Sequence, residues 1–552
     1  MTLVSHKPGI APAARTIGGV LAEMAQRTPR APAIFYRDEA ISYADLYGES
    51  VRAAKALLAL GVKRGDRVGV LLGNRPEWLV MCFGAALIGA VFAPLNTWYK
   101  STELAWAIRH GALRVLVSAD RFIKQDYTSL FDTMIPELRH AAPGDLHAAA
   151  FPNLKALAYV GTKPAGGWPG AMTWDELLAL SSGISDVEFQ TASAAVTADD
   201  IAFILYTSGS TAEPKGVLLR HGGAVDNGFA MGERRFVNSE DRVWIGTPLF
   251  YALGAVNATP VALTHGAAIV LQDYFEAGAA IETVCKTAAT VYYGTGNMTR
   301  AILDHPDYAQ AKIGSLKKGN AGTYADYKRM TLVEMGISLA SAAYGLTESY
   351  GNATVSHADD PIEAKINTNG TPLPGTELQI VDPVTSRRLA QGETGLILLR
   401  GNVAAGYFQN PEETAKSFRP DGFFDTGDLG FLDPEGRLVF HSRIKEVIKS
   451  GGINVSPLEV EQLLAQHPHI REAYVVGVPD RTRGEIIVAF VDASRKLGEG
   501  EVREFIKERA ASFKVPHHVF FRSEQQLPRL ASGKVSKVRL MEDAMAELGN
   551  NY

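Results

Sequence analysis

Two cysteines in 552 residues, Cys82 and Cys285, stand far apart with no Cys-x-x-Cys pair and no histidine-rich companion segment. That scarcity argues against a disulfide framework and a cysteine-built zinc site, and a reducing cytoplasm is the expected compartment. Charge of one sign is also scarce. The formal net charge is −5, without the basic excess or stripe a nucleic-acid partner would favour, so no nucleic acid is expected. The opening MTLVSHKPGIAPAARTIGG has no apolar core of the signal-peptide kind, and secretion by that route is not expected. Long hydrophobic runs are nearly missing. Trp78 to Leu95 is an uncharged, mostly apolar stretch of eighteen residues, at the lower limit for a membrane span. Gly84, Gly89 and Pro94 punctuate it, so helix, turn and strand are expected and no membrane span.

Glycine, by contrast, is plentiful at 53 residues, as tight turns and close backbone approaches to ligands require. The length exceeds what one core usually organises, and two or more domains are expected. Strand-like runs alternate with helical patterns through RVGVLLG, ALRVLVS, IAFILYT, VWIGTPLF, AAIVLQD, ATVYYGT and SLASAAYG, a pattern of parallel sheets covered by helices. Lys163 to Ala171, KPAGGWPGA, is a surface connection without evident chemistry. From about Gly375 short strands separated by turns predict a β-rich subdomain. After Ser442 a compact α+β unit begins, with Ser456 and Pro457 placed to cap and start a helix.

The segment from Tyr206 to Gly216, YTSGSTAEPKG, carries the strongest chemical signal. A glycine-rich turn after an apolar strand presents backbone N–H groups to an anion. Thr207, Ser208, Ser210 and Thr211 add hydroxyls, Gly209 keeps the turn open, and Lys215 adds a point charge. The spacing fits neither a Walker P-loop nor a dinucleotide fingerprint. Four more segments follow in order: GNAG (Gly319 to Gly322), YGLTES (Tyr344 to Ser349), FFDTGDLG with HSRIKEVIKSGG (Phe423 to Gly452), and LPRLASGKVSK around Lys534.

This set, in this order and spread over nearly the whole chain, resembles the adenylate-forming enzymes, and within them the acyl-CoA synthetases. The resemblance implies an α/β fold: a large N-terminal domain of mainly parallel sheets with helices plus the β-rich subdomain, residues 1–443, and a small mobile α+β domain, residues 444–552, hinged near Lys445. It implies ATP, Mg²⁺ and coenzyme A as cofactors and a small carboxylic acid as substrate, joined in two steps through acyl-AMP. It places Gly319, Asn320 and Ala321 beside adenine, although the usual Gly-Gly-Ala-Pro is altered here. Tyr344, Gly345 and Thr347 would meet the nucleotide, with Thr347 on the α-phosphate and Glu348 on Mg²⁺, a hard cation content with few carboxylates. Asp428 would accept both ribose hydroxyls. Arg443 would help hold ribose and phosphate, or else serve as a surface ion pair. Asp425 reads as a turn residue.

Lys534 would bridge the substrate carboxylate and the α-phosphate, the kind of preorganised charge that dominates many catalytic rate enhancements. By the same resemblance, Lys449, Gly451 and Gly452 form a turn that lets the pantetheine arm of CoA pass, and PRLASGK resembles an acetylation target, with a lysine acetyltransferase acting on Lys534 as the implied partner. Tyr251, standing where histidine is frequent, together with Asn257, Gly294, Thr295 and Gly345, lines the acid pocket or is ordinary sheet packing. An uncharged, partly aromatic wall points to an apolar monocarboxylate, whether fatty, alicyclic or aromatic, while a cation hidden from the sequence would leave a dicarboxylate open. Two alternatives share the first step: a stand-alone adenylation enzyme loading a carrier protein, and a luciferase-like oxygenase. A non-catalytic nucleotide sensor would not need Lys534, Glu348 and Asp428, and all are present.

Overall fold

The structure, a computed structural model, describes residues 8–161, 168–207, 214–450, 453–480, 483–510, 512–530 and 534–549. Two compact units result. The larger comprises Met1–Thr323, Tyr327–Glu377 and Leu399–Phe424; the smaller comprises Tyr324–Asp326, Leu378–Leu398 and Asp425–Tyr552. By packing, therefore, parts of the β-rich subdomain group with the C-terminal segment.

Among the described residues the larger unit is built on a nine-stranded and an eight-stranded sheet. In both, the interior strands run parallel and only the margins are antiparallel. The expected strands are present at Arg67–Leu71, Val115–Ala119, Ile201–Thr207, Arg242–Ile245, Ala268–Leu271, Val291–Tyr293 and Leu339–Tyr344. Most are continuously apolar, as strands covered on both faces must be. The stretch from Trp78 is the helix Pro76–Leu87 followed by the strand Val91–Pro94, buried throughout. No helix among the described residues is long and apolar enough to cross a membrane.

Among the described residues the strands Gly395–Gly401, Phe424–Leu432 and Leu438–Arg443 form most of a four-stranded sheet, and a five-stranded sheet is organised around Ile470–Asp480 and Gly484–Ala493. The helix Pro457–Ala465 starts as its sequence requires: the Ser456 hydroxyl accepts from the Glu459 N–H, and Pro457 occupies the first turn, where a missing N–H costs nothing.

Two buried lysines stitch the larger unit's motif-bearing region. Lys328 Nζ donates to the carbonyls of Ile366 (3.1 Å) and Thr368 (2.7 Å), and Lys365 Nζ to those of Ser338 (2.6 Å) and Ala358 (2.8 Å). Burial lowers the Lys328 pKa from 10.5 to about 7. Above pH 7 the folded chain sheds this proton while the unfolded chain keeps it up to 10.5, so this group makes stability rise with pH across that window. The thermal midpoint of the native chain is accordingly expected to climb, from pH 7 upward, relative to that of Lys328→Met. Scanning calorimetry showing parallel pH profiles for the two proteins would refute this.

Candidate active site

The antiparallel strands Ile201–Thr207 and Lys215–Arg220 set Thr207 opposite Lys215 at the end of their ladder. Ser208, Gly209, Ser210 and Thr211 lie outside the described residues. Lys215 is partly buried and its ammonium pairs with the Glu413 carboxylate. The same ammonium sits 5.1 Å over the ring of Tyr407. Tyr407, in the short strand Gly406–Tyr407, pairs in register with Val217, and its hydroxyl donates to Glu348 Oε1 at 2.8 Å. Burial, and then the negative charge of Glu348, raise the Tyr407 pKa, so it stays protonated as a donor. One phenol thus joins the lysine of the glycine-rich loop to the carboxylate of YGLTES.

That carboxylate is held in a stiff turn. After the strand Leu339–Tyr344, whose last residue is buried, the chain forms a tight turn at Thr347–Ser349, with the Leu346 N–H donating to Ser349 Oγ (3.0 Å). Tyr350 then takes a left-handed conformation at φ 55°. Its hydroxyl accepts from the Arg220 N–H (3.1 Å), and Asn227 Nδ2 donates to the carbonyls of Ser349 (3.3 Å) and Asn352 (3.0 Å). The Glu348 carbonyl accepts from the Ala404 N–H (2.7 Å). Thr347 and Glu348 therefore rest on a hydrogen-bonded frame rather than a free loop.

GNAG forms part of the strand Lys318–Gly322. At Gly319 φ is +133°, and a Cβ there would lie 2.1 Å from the Tyr292 carbonyl oxygen, so only glycine fits. Asn320 and Ala321 are buried. Of the acid-pocket candidates, Tyr251 is half-buried, packs on Phe250 with ring centroids 4.6 Å apart, and accepts from Asn96 Nδ2 at 3.4 Å. It precedes a π-helical turn, Leu253–Ala258, a feature often found at functional sites. Asn257, on that turn, is fully buried and accepts from Arg235 Nη1 at 3.0 Å. Gly294 is buried, Gly345 half-buried and Thr295 exposed. Arg235, which is not among the pocket candidates, contacts Asn257 directly through its guanidinium.

In the smaller unit the ladder between Phe424–Leu432 and Leu438–Arg443 sets Asp428 opposite Arg443. Arg443 Nε lies 3.2 Å from Asp428 Oδ1. Arg443 is exposed and Asp428 buried, and the two form an ion pair. Asp425 accepts from the Gly427 N–H (2.9 Å) as a turn residue. Lys534 keeps exposed surface, yet partial desolvation and the neighbouring Arg443 lower its pKa, while Glu446 and Asp428 pull the other way. The backbone of Lys445 lies in a single 3₁₀ turn, Ile444–Glu446, and Lys449 in the strand Ile448–Ser450. Gly451 and Gly452 lie outside the described residues.

Residues 21–408 match the AMP-binding enzyme family and residues 459–534 its C-terminal domain family. The chain belongs to the AMP-binding enzymes.

This AMP-binding enzyme is 34% identical over 514 residues to the 7a-methyl-1,5-dioxo-octahydro-1H-inden-4-yl propanoyl:CoA ligase of Rhodococcus jostii (strain RHA1), covering 92% of this chain and 94% of that protein. It is 30% identical over 542 residues to the mitochondrial medium-chain acyl-CoA ligase ACSF2 of Bos taurus, covering 96% and 87%. Among solved structures, ATP-bound MatB from Rhodopseudomonas palustris superposes with a TM-score of 0.81 at 28% identity, covering 95% of this chain and 98% of that one. Its chemistry is that of an AMP-forming acid–thiol ligase, which binds ATP, makes acyl-AMP, and passes the acyl group to CoA.

Proposed function

We propose that this enzyme activates an acid with an apolar body, fatty, alicyclic or aromatic, and that the residues above divide the work as follows. Lys215 and the glycine-rich turn neutralise the β- and γ-phosphates. Thr347 holds the α-phosphate, Asp428 takes the ribose hydroxyls with Arg443 beside it, and Gly319, Asn320 and Ala321 flank the base. Lys534 draws the acid carboxylate and the α-phosphate together, so that a carboxylate oxygen attacks phosphorus as pyrophosphate leaves in line. The boundary between the working domains lies at Arg443, and rotation about Lys445 withdraws Lys534 and brings up the Lys449 turn with Gly451 and Gly452 for the CoA thiol.

The observation that carries this reading is the joining of Lys215, Tyr407, Glu348 and Glu413 at one place. It supports Mg²⁺ at Glu348. No cluster of three or more His, Cys, Asp or Glu side chains fit to hold a metal occurs among the described residues, which suits a cation held by one carboxylate and phosphate oxygens. When bound, Mg²⁺ would offset phosphate charge. Tyr407 orients the carboxylate that holds it. Removing such a supporting hydrogen bond typically costs about 10- to 100-fold in metal affinity. Tyr407→Phe is therefore expected to raise the Mg²⁺ requirement for pyrophosphate release by about tenfold, with the KM for the acid unchanged. A magnesium titration superimposable on that of the native enzyme would remove Tyr407 from this role.

Pyrophosphate release assayed over a panel of fatty, alicyclic and aromatic acids, with and without CoA, tests the function itself. Release with such acids and thioester formation only with CoA are expected; activity confined to small hydrophilic acids would overturn the assignment of an apolar body. Acetylation of Lys534 would delete its charge, and mass spectrometry of the protein from its own host would reveal that modification.

A further inference from the structure

Arg235 follows the helix His221–Arg234 and is fully buried, 0% exposed. Its Nη1 donates to Asn257 Oδ1 (3.0 Å) and to the Tyr293 hydroxyl, and the guanidinium lies 5.0 Å over the Tyr293 ring. Its Nη2 reaches Asn320 Oδ1 (3.5 Å) and, with the Asn352 amide turned so that its oxygen faces the guanidinium, Asn352 Oδ1 (2.8 Å). Its Nε finds no acceptor among the described residues. Every partner is neutral, and no carboxylate among the described residues pairs with Arg235. Burial raises the Tyr293 pKa, although Arg235 opposes the shift, so that hydroxyl supplies no negative charge. The helix end contributes only a partial one.

A buried guanidinium without a counterion is expensive, because neutral amides replace its hydration but not its lost countercharge. A core that needed only a clamp would be served by a neutral amide or an apolar residue. The position of the charge gives it a use. Asn257 and Gly294, the latter directly after Tyr293, are two acid-pocket candidates, and Asn320 belongs to the base-flanking strand. Room for Asn257 is preserved by Gly351, where a Cβ would lie 3.0 Å from Asn257 Nδ2. Arg235 holds Asn257 by its oxygen, and the Asn257 amide nitrogen lies 3.0 Å from the Asn352 side-chain amide, so the guanidinium is the uncompensated group here.

We infer that Arg235 is a specificity-determining residue, and that it selects acids whose far end carries a carbonyl or carboxylate oxygen. The inference rests on the ligase reading and on Asn257 and Gly294 bordering the acid. It refines that reading: the body of the acid is apolar, and its tip is an acceptor. Such an oxygen meets the positive field of Arg235, whereas a methyl terminus leaves that charge unanswered. A site built to bond a substrate group discriminates strongly against the analogue that lacks it.

The test compares kcat/KM for pyrophosphate release within matched sets: heptanoate, 6-oxoheptanoate and heptanedioate, and cyclohexanecarboxylate against its 4-oxo derivative. The native enzyme should favour an oxygen-tipped member over its plain counterpart by about tenfold or more. Preference for the oxo acids identifies a carbonyl tip and preference for the diacid a carboxylate tip. Arg235→Met should abolish the ratio with the KM for ATP unchanged, and Arg235→Lys should keep part of it. Plain and oxygen-tipped acids used equally by the native enzyme overturn the inference while leaving the ligase reading intact, and that result needs no folded variant. Equal loss on all acids in both variants, with the ratio kept, makes Arg235 a clamp and also overturns it. Absence of release with every acid overturns both readings.

Discussion

Lys534→Ala is expected to slow acyl-AMP formation by about 100- to 1000-fold, the cost of losing one preorganised charge at a developing anion, while synthetic acyl-AMP is still converted to acyl-CoA at close to the native rate. The asymmetry follows from what the ammonium does. In the first half-reaction two anions must approach, and a cation between them is worth most where charge moves from carboxylate to phosphate. In the second, a thiolate displaces AMP, and that repulsion is gone. The surroundings of Lys534 suit this role, since it is exposed enough to reach a ligand, while desolvation and then Arg443 lower its pKa and Glu446 and Asp428 oppose them. Pyrophosphate exchange reports the first step and thiol consumption with supplied adenylate the second. Equal loss in both would end the division of labour.

Lys445→Pro should show the opposite pattern, with adenylate formation within a few-fold of native and thioester formation reduced by about a hundredfold or more, as expected when a conformational step becomes limiting. The 3₁₀ turn Ile444–Glu446 follows the strand that ends at Arg443. A φ near −65° suits such a turn, so the ring itself fits position 445. Rotation about the same residue needs other φ values, and the ring forbids them. Accumulated acyl-AMP, trapped by quenched-flow chromatography in the presence of CoA, would be the signature. Normal overall turnover would place the hinge elsewhere.

The parts of the fold legible in the sequence are those whose cause is local. Continuous apolar runs such as IAFIL and AIVL became buried strands at Ile201–Thr207 and Ala268–Leu271, because a strand covered on both faces has no polar side to show. Ser456 and Pro457 marked a helix start through their own chemistry. At Gly319 the structure supplies a constraint that the sequence does not carry, the Tyr292 carbonyl where a side chain would stand.

The family was legible as an ordered set of motifs, and what escaped at the candidate site was held by distant partners. Tyr407 meets Glu348 across 59 residues and Lys215 meets Glu413 across 198, separations no local pattern reveals. The one signal near Glu413 was a helix start, where Asn410 Oδ1 accepts from the Glu413 N–H (3.0 Å) and Pro411 follows the cap. Arg235 sat unnoticed in GERRFVN beside Arg234, because two arginines at a helix end look alike until burial tells them apart. The smaller unit's grouping of Leu378–Leu398 with the C-terminal segment was equally invisible, since strand pairing ignores chain order.

On the proposed role of Lys215, its pairing with Glu413 bears on how the enzyme would empty itself. An incoming triphosphate would have to draw the lysine from a carboxylate that already holds it, and once pyrophosphate loosened, that carboxylate would be there to reclaim its partner. The grip on the leaving anion would be weaker on both legs of the cycle. That would guard an enzyme cutting such a highly charged fragment from ATP against being jammed by its own by-product.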